Sequence, residues 1–267
     1  AMITDWDDAY ANSIYIEGGE AFPDRWLADA AAFRASHSPQ TVTYGAHPRM
    51  VFDLFHPVGT AQGLAVFVHG GYWMALDKDS FSHLAAGAMA QGFAVAIPSY
   101  VLTPEARIVE ITQHIARAVD VAAQMLPGPI HLAGHSAGGH LVSRLGCLDV
   151  GLNCAARLSH ILSISGVHDM RPLLHTAMRK DLRLDLAEAT AESPALNTPR
   201  TAMRLTTWVG QNERPEFIRQ SELLANVWAG LGADTACVIE PNRHHFDVID
   251  GLCNPHSPMV QSWLGNT

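Results

Sequence analysis

The sequence predicts an α/β fold, in which a mostly parallel central sheet is flanked by helices. Short, continuously apolar segments such as 64–68 and 130–133 are typical of strands buried on both faces. They alternate with longer segments of helical periodicity, of which 108–126 is the clearest. The chain has 267 residues, 48% hydrophobic and 16% charged, which suits a single globular domain. We therefore expect residues 1–267 to form one domain.

The first 60 residues precede the regular alternation. Apolar residues between Pro23 and Phe33 recur every three or four positions, which predicts a helix that begins near the proline. The β-prone segments 42–44 and 50–55 predict an antiparallel hairpin at a sheet edge.

From residue 64 onwards strands and helices alternate. Strands are predicted at 64–68, 94–97, 130–133, 161–164, 205–209 and 236–239. Helices are predicted at about 79–89, 108–126, 137–145, 215–231 and 259–264. Segment 167–200 breaks this order with mixed apolar and charged residues and three prolines, so we expect a small helical cap insertion there that covers the site.

Charge and composition exclude several classes of function. The formal net charge is −9 and Lys and Arg form no run, so nucleic acid is not an expected partner. No apolar segment approaches the roughly 20 residues of a membrane-spanning helix. Four cysteines without C-x-x-C spacing and an acidic N-terminus without a signal-peptide pattern favour a cytoplasmic protein with reduced thiols. The sequence does not determine the oligomeric state, for which a homodimer is the candidate.

Ser136 lies in the most informative motif, Gly134-His135-Ser136-Ala137-Gly138. The pattern G-x-S-x-G between a strand and a helix is typical of a nucleophile at a sharp turn. Glycines lack a Cβ atom and so permit such a turn to close tightly. Because the pattern also occurs by chance, the other strand ends must supply its partners.

Those strand ends carry the expected partners of a nucleophilic serine. Catalytic residues of α/β folds lie beyond the carboxyl ends of strands. Glu213 follows segment 205–209, and His244 and His245 follow segment 236–239, which gives the chain order serine, acid, histidine. We select His245 as the general base and Glu213 as the acid that orients it. The acid remains open, since Asp169, Asp234 and Asp247 are alternatives, and one of the two histidines is expected to be structural.

The loop after segment 64–68 is a candidate oxyanion hole. Backbone N–H groups of Gly71, Tyr72 and Ala137 are placed to bind the negative oxygen of a tetrahedral intermediate. Trp73 and Tyr72 are candidate walls for a flat substrate, with simple packing as the alternative. The 15 histidines show no recognised ligand spacing, so we expect no catalytic metal.

Several motifs together resemble the kynurenine formamidases (arylformamidases) of the α/β-hydrolase superfamily, and the resemblance covers nearly the whole chain. They are H-G-G-Y-W at 69–73, G-H-S-A-G-G-H at 134–140, S-G-V-H-D-M-R-P-L at 165–173, P-E-F and R-Q-S within 215–221, and H-F at 245–246. The family usually has Asp where this chain has Glu213, one methylene longer, and triads accept either acid.

The resemblance implies an α/β-hydrolase fold and hydrolysis of N-formyl-L-kynurenine to formate and L-kynurenine through a formyl-Ser136 intermediate, without a cofactor. The aromatic part of the substrate is then expected against Trp73, Tyr72 and apolar residues of 167–182. Fold and triad do not fix the leaving group, so a carboxylesterase or thioesterase with the same residues is the first alternative. A catalytically silent binding protein is the second.

Overall fold

A computed structural model describes residues 1–265 and contains an eight-stranded sheet within them. The strands are β1 (Gln40–Thr43), β2 (Val51–Phe55), β3 (Leu64–Val68), β4 (Ala94–Pro98), β5 (Ile130–His135), β6 (Leu158–Ile164), β7 (Arg204–Gly210) and β8 (Asp234–Glu240). Their order is β1-β2-β4-β3-β5-β6-β7-β8, in which β2 pairs antiparallel with both β1 and β4 and the six strands β3 to β8 run parallel. The mostly parallel sheet and the edge hairpin are confirmed.

The helices flank this sheet. They are α1 (Trp6–Ala9), α2 (Phe22–Ser36), α3 (Ala86–Ala90), α4 (Ile108–Met125), α5 (Ala137–Leu145), α6 (Arg179–Leu182), α7 (Leu186–Ala191), α8 (Pro215–Ala229) and α9 (Pro258–Leu264). The helix predicted at 79–89 is wrong in part, since only α3 is α-helical there. Two short 3-10 turns precede it, and Phe81, with φ −131° and ψ 9°, separates them.

Apolar side chains fill both faces of the sheet. Along β3, Leu64, Val66 and Val68 belong to one buried cluster and the alternate residues Ala65 and Phe67 to the other. Helices α4, α5 and α8 contribute to the first cluster, and α2, α3 and α9 to the second. Burial on both faces explains why β3 is continuously apolar rather than alternating.

The order of the strands places the carboxyl end of β3 at the centre of the site. The chain passes from β3 to β4 on one side of it, and β5 lies against β3 on the other side. The connections therefore diverge at β3 and β5, which leaves a crevice beyond their carboxyl ends. The loop that begins at His69 and the turn at Ser136 both open into this crevice.

The interrupted segment 167–200 contains the short helices α6 and α7. Its buried side chains, such as Met170 and Leu182, join the cluster that α4 and α8 share. A single domain over 1–267 with a cap insertion at 167–200 stays a prediction, and its last two residues lie outside the described part. No helix within residues 1–265 is long and apolar enough to cross a membrane.

Buried histidines should make the fold sensitive to acid. Burial lowers the pKa of His160 and of His168 to about 4 and that of His140 to about 3. The unfolded chain binds more protons between these values and about 6.5, so stability is present above pH 6.5 and is lost as pH falls. Each of these groups contributes up to about 3 kcal/mol of this loss by pH 4. Urea midpoints that do not fall between pH 7 and pH 4.5 would contradict this prediction.

Candidate active site

Ser136 occupies a sharp turn between β5 and α5. Its backbone has φ 57° and ψ −116°, a conformation that L residues rarely adopt. Two glycines make the turn possible: a Cβ atom on Gly134 would lie 2.1 Å from the Gly138 carbonyl oxygen, and one on Gly138 would lie 1.9 Å from the Val68 oxygen. A larger residue at Gly134 would therefore open the turn between β5 and α5, and one at Gly138 would push the start of α5 away from β3.

His245 connects Ser136 to Glu213. Its Nε2 lies 3.1 Å from Ser136 Oγ, and its Nδ1 lies 2.6 Å from Glu213 Oε1. These residues are separated by 109 and 32 positions in the chain, and all three are buried. The geometry is that of a histidine that accepts from a hydroxyl on one side and donates to a carboxylate on the other.

Glu213 is held by two further donors. Its Oε2 accepts from the backbone N–H of Gly210 at 2.7 Å and from the Ser165 hydroxyl at 2.5 Å. The side chain has no exposed surface. Buried carboxylates are costly unless they are hydrogen-bonded, and here both oxygens have partners.

The other candidate acids bind elsewhere. Asp169 pairs with Arg171 at 2.8 Å, and Asp234 is an exposed residue on β8 that pairs with Arg204 at 3.6 Å. Asp247 accepts from the backbone N–H of His244 at 2.8 Å. The structure therefore brings Glu213, and none of these three, to the imidazole of His245.

His244 makes different side-chain hydrogen bonds from its neighbour His245. Its Nδ1 accepts from the backbone N–H groups of Phe246 and Asp247 at 3.1 and 3.2 Å, and its ring packs edge-on against Phe22. It orders the turn that carries His245.

Two residues around His245 were missed by sequence reasoning. His135 Nε2 lies 2.7 Å from the His245 carbonyl oxygen, and burial holds the pKa of His135 well below its usual value, so the neutral ring donates this hydrogen bond. The Phe217 ring lies 4.4 Å from the imidazole of His245. Both residues lie within the motifs of the resemblance, His135 next to the serine and Phe217 in P-E-F, but the motifs do not indicate their contacts with His245.

The loop after β3 presents free backbone donors to this site. Gly71 has φ 112° and Tyr72 has φ 54°. A Cβ atom on Gly71 would lie 2.4 Å from the Ala75 carbonyl oxygen, so glycine is required there. The N–H groups of Gly71, Tyr72 and Ala137 donate to no acceptor within residues 1–265. Three backbone donors near one serine can stabilise an oxyanion.

Trp73 is not a wall of the site, and this expectation is wrong. The side chain is only 1% exposed, and its Nε1 donates to His140 Nδ1 at 3.2 Å. Because φ is positive at both Tyr72 and Trp73, the chain reverses here and Trp73 enters the core beside α5. His69 also supports the loop from below: its buried ring stacks on Tyr100 at 4.4 Å, and burial lowers its pKa to about 4.

Comparisons with known proteins identify the family of this chain. The model of the alpha/beta hydrolase family matches residues 65–263. The chain belongs to this family. The resemblance to kynurenine formamidases is confirmed by two relatives of that name, each 26% identical, from Danio rerio (79% of this chain, 75% of the relative) and Salmo salar (84% and 80%).

A solved structure is also similar to this hydrolase over almost its whole length. It is a candidate thioesterase from Silicibacter sp. TM1040, 48% identical, with a TM-score of 0.93 and coverage of 97% of this chain and 98% of that one. The similarity extends the fold assignment to the N-terminal residues outside the family match.

The pocket beside Ser136 in the hydrolase has a volume of about 310 Å³. Its apolar walls come from α2, the loop after β3 and the turn after His245, and include Trp26, Leu76, Phe81 and Phe246. No residue of 167–200 lines it, so the expectation that apolar residues of 167–182 border the substrate is wrong. The N-terminal segment 12–26 takes that place, with Tyr72 as the predicted aromatic wall that does line the pocket.

Tyr72 is fixed in this hydrolase by the N-terminal segment. Its hydroxyl donates to the Tyr10 carbonyl oxygen at 2.8 Å and accepts from Asn12 Nδ2 at 2.9 Å. Tyr10 is itself anchored on α8, where its hydroxyl donates to Glu216 at 2.7 Å. Residues 1–265 contain no group of three or more His, Cys, Asp or Glu side chains that could hold a metal ion.

Proposed function

We propose that this protein is a serine hydrolase that removes a small acyl group, with N-formyl-L-kynurenine as substrate and formate and L-kynurenine as products. The observation that carries the proposal is the hydrogen-bonded chain from Ser136 through His245 to Glu213, with distances of 3.1 and 2.6 Å. A serine hydroxyl needs such a neutral imidazole to take its proton.

The first half-reaction forms an acyl-enzyme. His245 Nε2 takes the proton of Ser136 while Oγ attacks the formyl carbon, and the carbonyl oxygen becomes negative against the N–H groups of Gly71, Tyr72 and Ala137. Glu213 stabilises the imidazolium that forms. His245 then gives its proton to the aniline nitrogen as the C–N bond breaks, and L-kynurenine leaves.

The second half-reaction uses water in place of the amine. His245 takes a proton from the water molecule, whose oxygen attacks the formyl carbon of formyl-Ser136. The imidazolium then returns the proton to Ser136 Oγ, and formate is released. The enzyme is regenerated without a cofactor.

Two observations support an aromatic formamide. The pocket is lined by the aromatic rings of Trp26, Phe81 and Phe246, and its volume of about 310 Å³ suits one ring system with a short side chain. The relatives from Danio rerio and Salmo salar carry the name kynurenine formamidase. The alternative, a thioesterase or carboxylesterase with the same triad, is favoured by the 48% identity to the candidate thioesterase.

The substrate comparison separates these alternatives. For purified protein we expect kcat/KM with N-formyl-L-kynurenine to reach at least about 10⁴ M⁻¹s⁻¹, the range of ordinary enzymes on their own substrates. The same preparation is tested with p-nitrophenyl acetate and with short acyl thioesters. Slow turnover of the formamide together with efficient cleavage of either ester would replace the formamidase proposal.

Asn12 should affect kcat through Tyr72. Asn12→Ala removes the donor to the Tyr72 hydroxyl and loosens the loop that holds two oxyanion donors. We therefore expect kcat to fall about tenfold, which is less than the fall when a whole oxyanion donor is removed. KM should change little. Steady-state kinetics of Asn12→Ala, Tyr72→Phe and the double variant test this. Tyr72→Phe already removes the hydrogen bond from Asn12, so Asn12→Ala should add little to it. A raised KM with unchanged kcat would show that Asn12 only lines the pocket.

The four cysteines form no disulfide in the described part of the chain. This is compatible with the proposed cytoplasmic location, which stays a prediction together with the homodimer and the absence of nucleic-acid and membrane partners.

A further inference from the structure

Among the residues that line the pocket beside Ser136, one is acidic and none is Lys or Arg. The acidic residue is Glu20, which lies in the 3-10 turn Gly19–Ala21 between α1 and α2. Its side chain is exposed, and it forms no ion pair or hydrogen bond with any of residues 1–265. It is therefore free to bind a ligand group at the pocket.

Cations near this segment of the chain have other partners. The Arg25 guanidinium lies 4.1 Å from the centre of the Phe22 ring. Arg214 bonds to Asp8 at 2.8 Å and stacks on Tyr15 at 3.6 Å. Neither guanidinium forms an ion pair with the Glu20 carboxylate, and the formal net charge of the whole chain is −9.

We propose that this pocket selects leaving groups by their charge: it takes an aromatic group that carries an amine cation, which Glu20 binds, and it needs no carboxylate on the substrate. The proposal rests on the proposed function, because the leaving group is defined by the acyl transfer at Ser136. For N-formyl-L-kynurenine it places the α-ammonium at Glu20 and leaves the α-carboxylate in solvent.

The same charge arrangement acts against polyanionic substrates. A thioester whose leaving group carries phosphates meets Glu20 and finds no Lys or Arg in the pocket to bind them. Like charges in an interface disfavour binding and slow association. Neutral or cationic short thioesters are not affected, because the selection depends on the charge of the leaving group and not on the type of bond that is cleaved.

Three aryl formamides test the proposal. They are N-formyl-L-kynurenine, its decarboxylated analogue, which is a cation, and its deaminated analogue, which is an anion. We expect kcat/KM to be highest for the cation and lowest for the anion, and raised ionic strength should reduce the difference. Glu20→Gln should lower the cation-to-anion ratio about two- to fivefold, the effect of one exposed ion pair, and Glu20→Lys should reverse the order.

Glu17→Gln is the matched control. Glu17 is exposed on the same segment, three positions away, but does not line the pocket. This variant loses the same charge and should leave the ratio unchanged. Equal changes of the cation-to-anion ratio in Glu17→Gln and Glu20→Gln would show that only net charge matters and would overturn the role of Glu20. The proposal would also be overturned if the anionic analogue were the best substrate of the unaltered protein.

Failure of the proposed function is recognised separately. Phenyl acetates with the same three charges measure the effect of charge on ester cleavage. A protein that does not hydrolyse formamides but cleaves these esters in the expected order of charge contradicts only the formamidase proposal. If neither series is hydrolysed, calorimetry with the aromatic amine products of the three formamides measures the order of their affinities directly. Equal affinities there would overturn the inference.

Discussion

Ser136→Ala should lower kcat by about 10⁴-fold or more with the best substrate found. The reason is that Oγ lies 3.1 Å from His245 Nε2, which can take its proton, and that the proposed acyl-enzyme forms on this oxygen. The measurement is the rate of kynurenine formation at saturating substrate. Because the side chain is small and lies at a turn that keeps its glycines, the fold should persist, and urea unfolding of the variant checks this.

His245→Ala should cause a loss of the same order, and the double variant should be hardly worse than either single one. A fluorophosphonate probe should label Ser136 in the unaltered protein and fail to label Ser136→Ala. His244→Asn is the control, because asparagine can still accept the backbone hydrogen bonds of that turn. Retained activity in Ser136→Ala would end the nucleophile assignment, and absence of turnover in the unaltered protein would favour a silent binding protein.

Local patterns are sufficient to predict most of the fold. Helix α4 (Ile108–Met125) is predictable because its apolar residues recur with helical spacing over five turns, and β3 because burial on both faces leaves it continuously apolar. Catalytic residues of α/β folds lie beyond the carboxyl ends of strands, and this rule alone predicts that Ser136, Glu213 and His245 lie in one region. These features depend on neighbours in sequence or on the order of strands, both of which a sequence displays.

The pocket depends on contacts that no local pattern encodes. Segment 12–26 lines the same pocket as Ser136, although more than 100 residues separate them in the chain. Trp26 has the helical spacing of an ordinary core residue. Trp73 is misplaced by sequence reasoning because positive φ angles at two successive non-glycine residues reverse the side-chain direction, and such angles are rare outside glycine. Ser165 is visible as a polar residue directly after β6, yet its hydrogen bond to Glu213 follows only from the parallel pairing of β6 with β7.

Glu213→Gln should lower kcat by about 10⁴-fold while the fold is retained. Oε2 of Glu213 accepts from both the Gly210 N–H and the Ser165 hydroxyl, so the oxygen of a glutamine is required at that position. Its NH₂ group must then face His245 Nδ1, 2.6 Å away in the unaltered protein. A donor there fixes the imidazole with its proton on Nε2, and Nε2 can no longer take the proton of Ser136.

Glu213→Asp and Asp247→Asn complete this experiment. The shorter aspartate keeps an acceptor for His245 but cannot also reach Gly210 and Ser165 without a shift, so its kcat should lie between those of the unaltered protein and Glu213→Gln. Asp247→Asn keeps an acceptor for the His244 N–H and should remain close to the unaltered protein. A nearly unchanged kcat in Glu213→Gln, with Asp247→Asn strongly impaired, would transfer the role of the acid from Glu213 to Asp247.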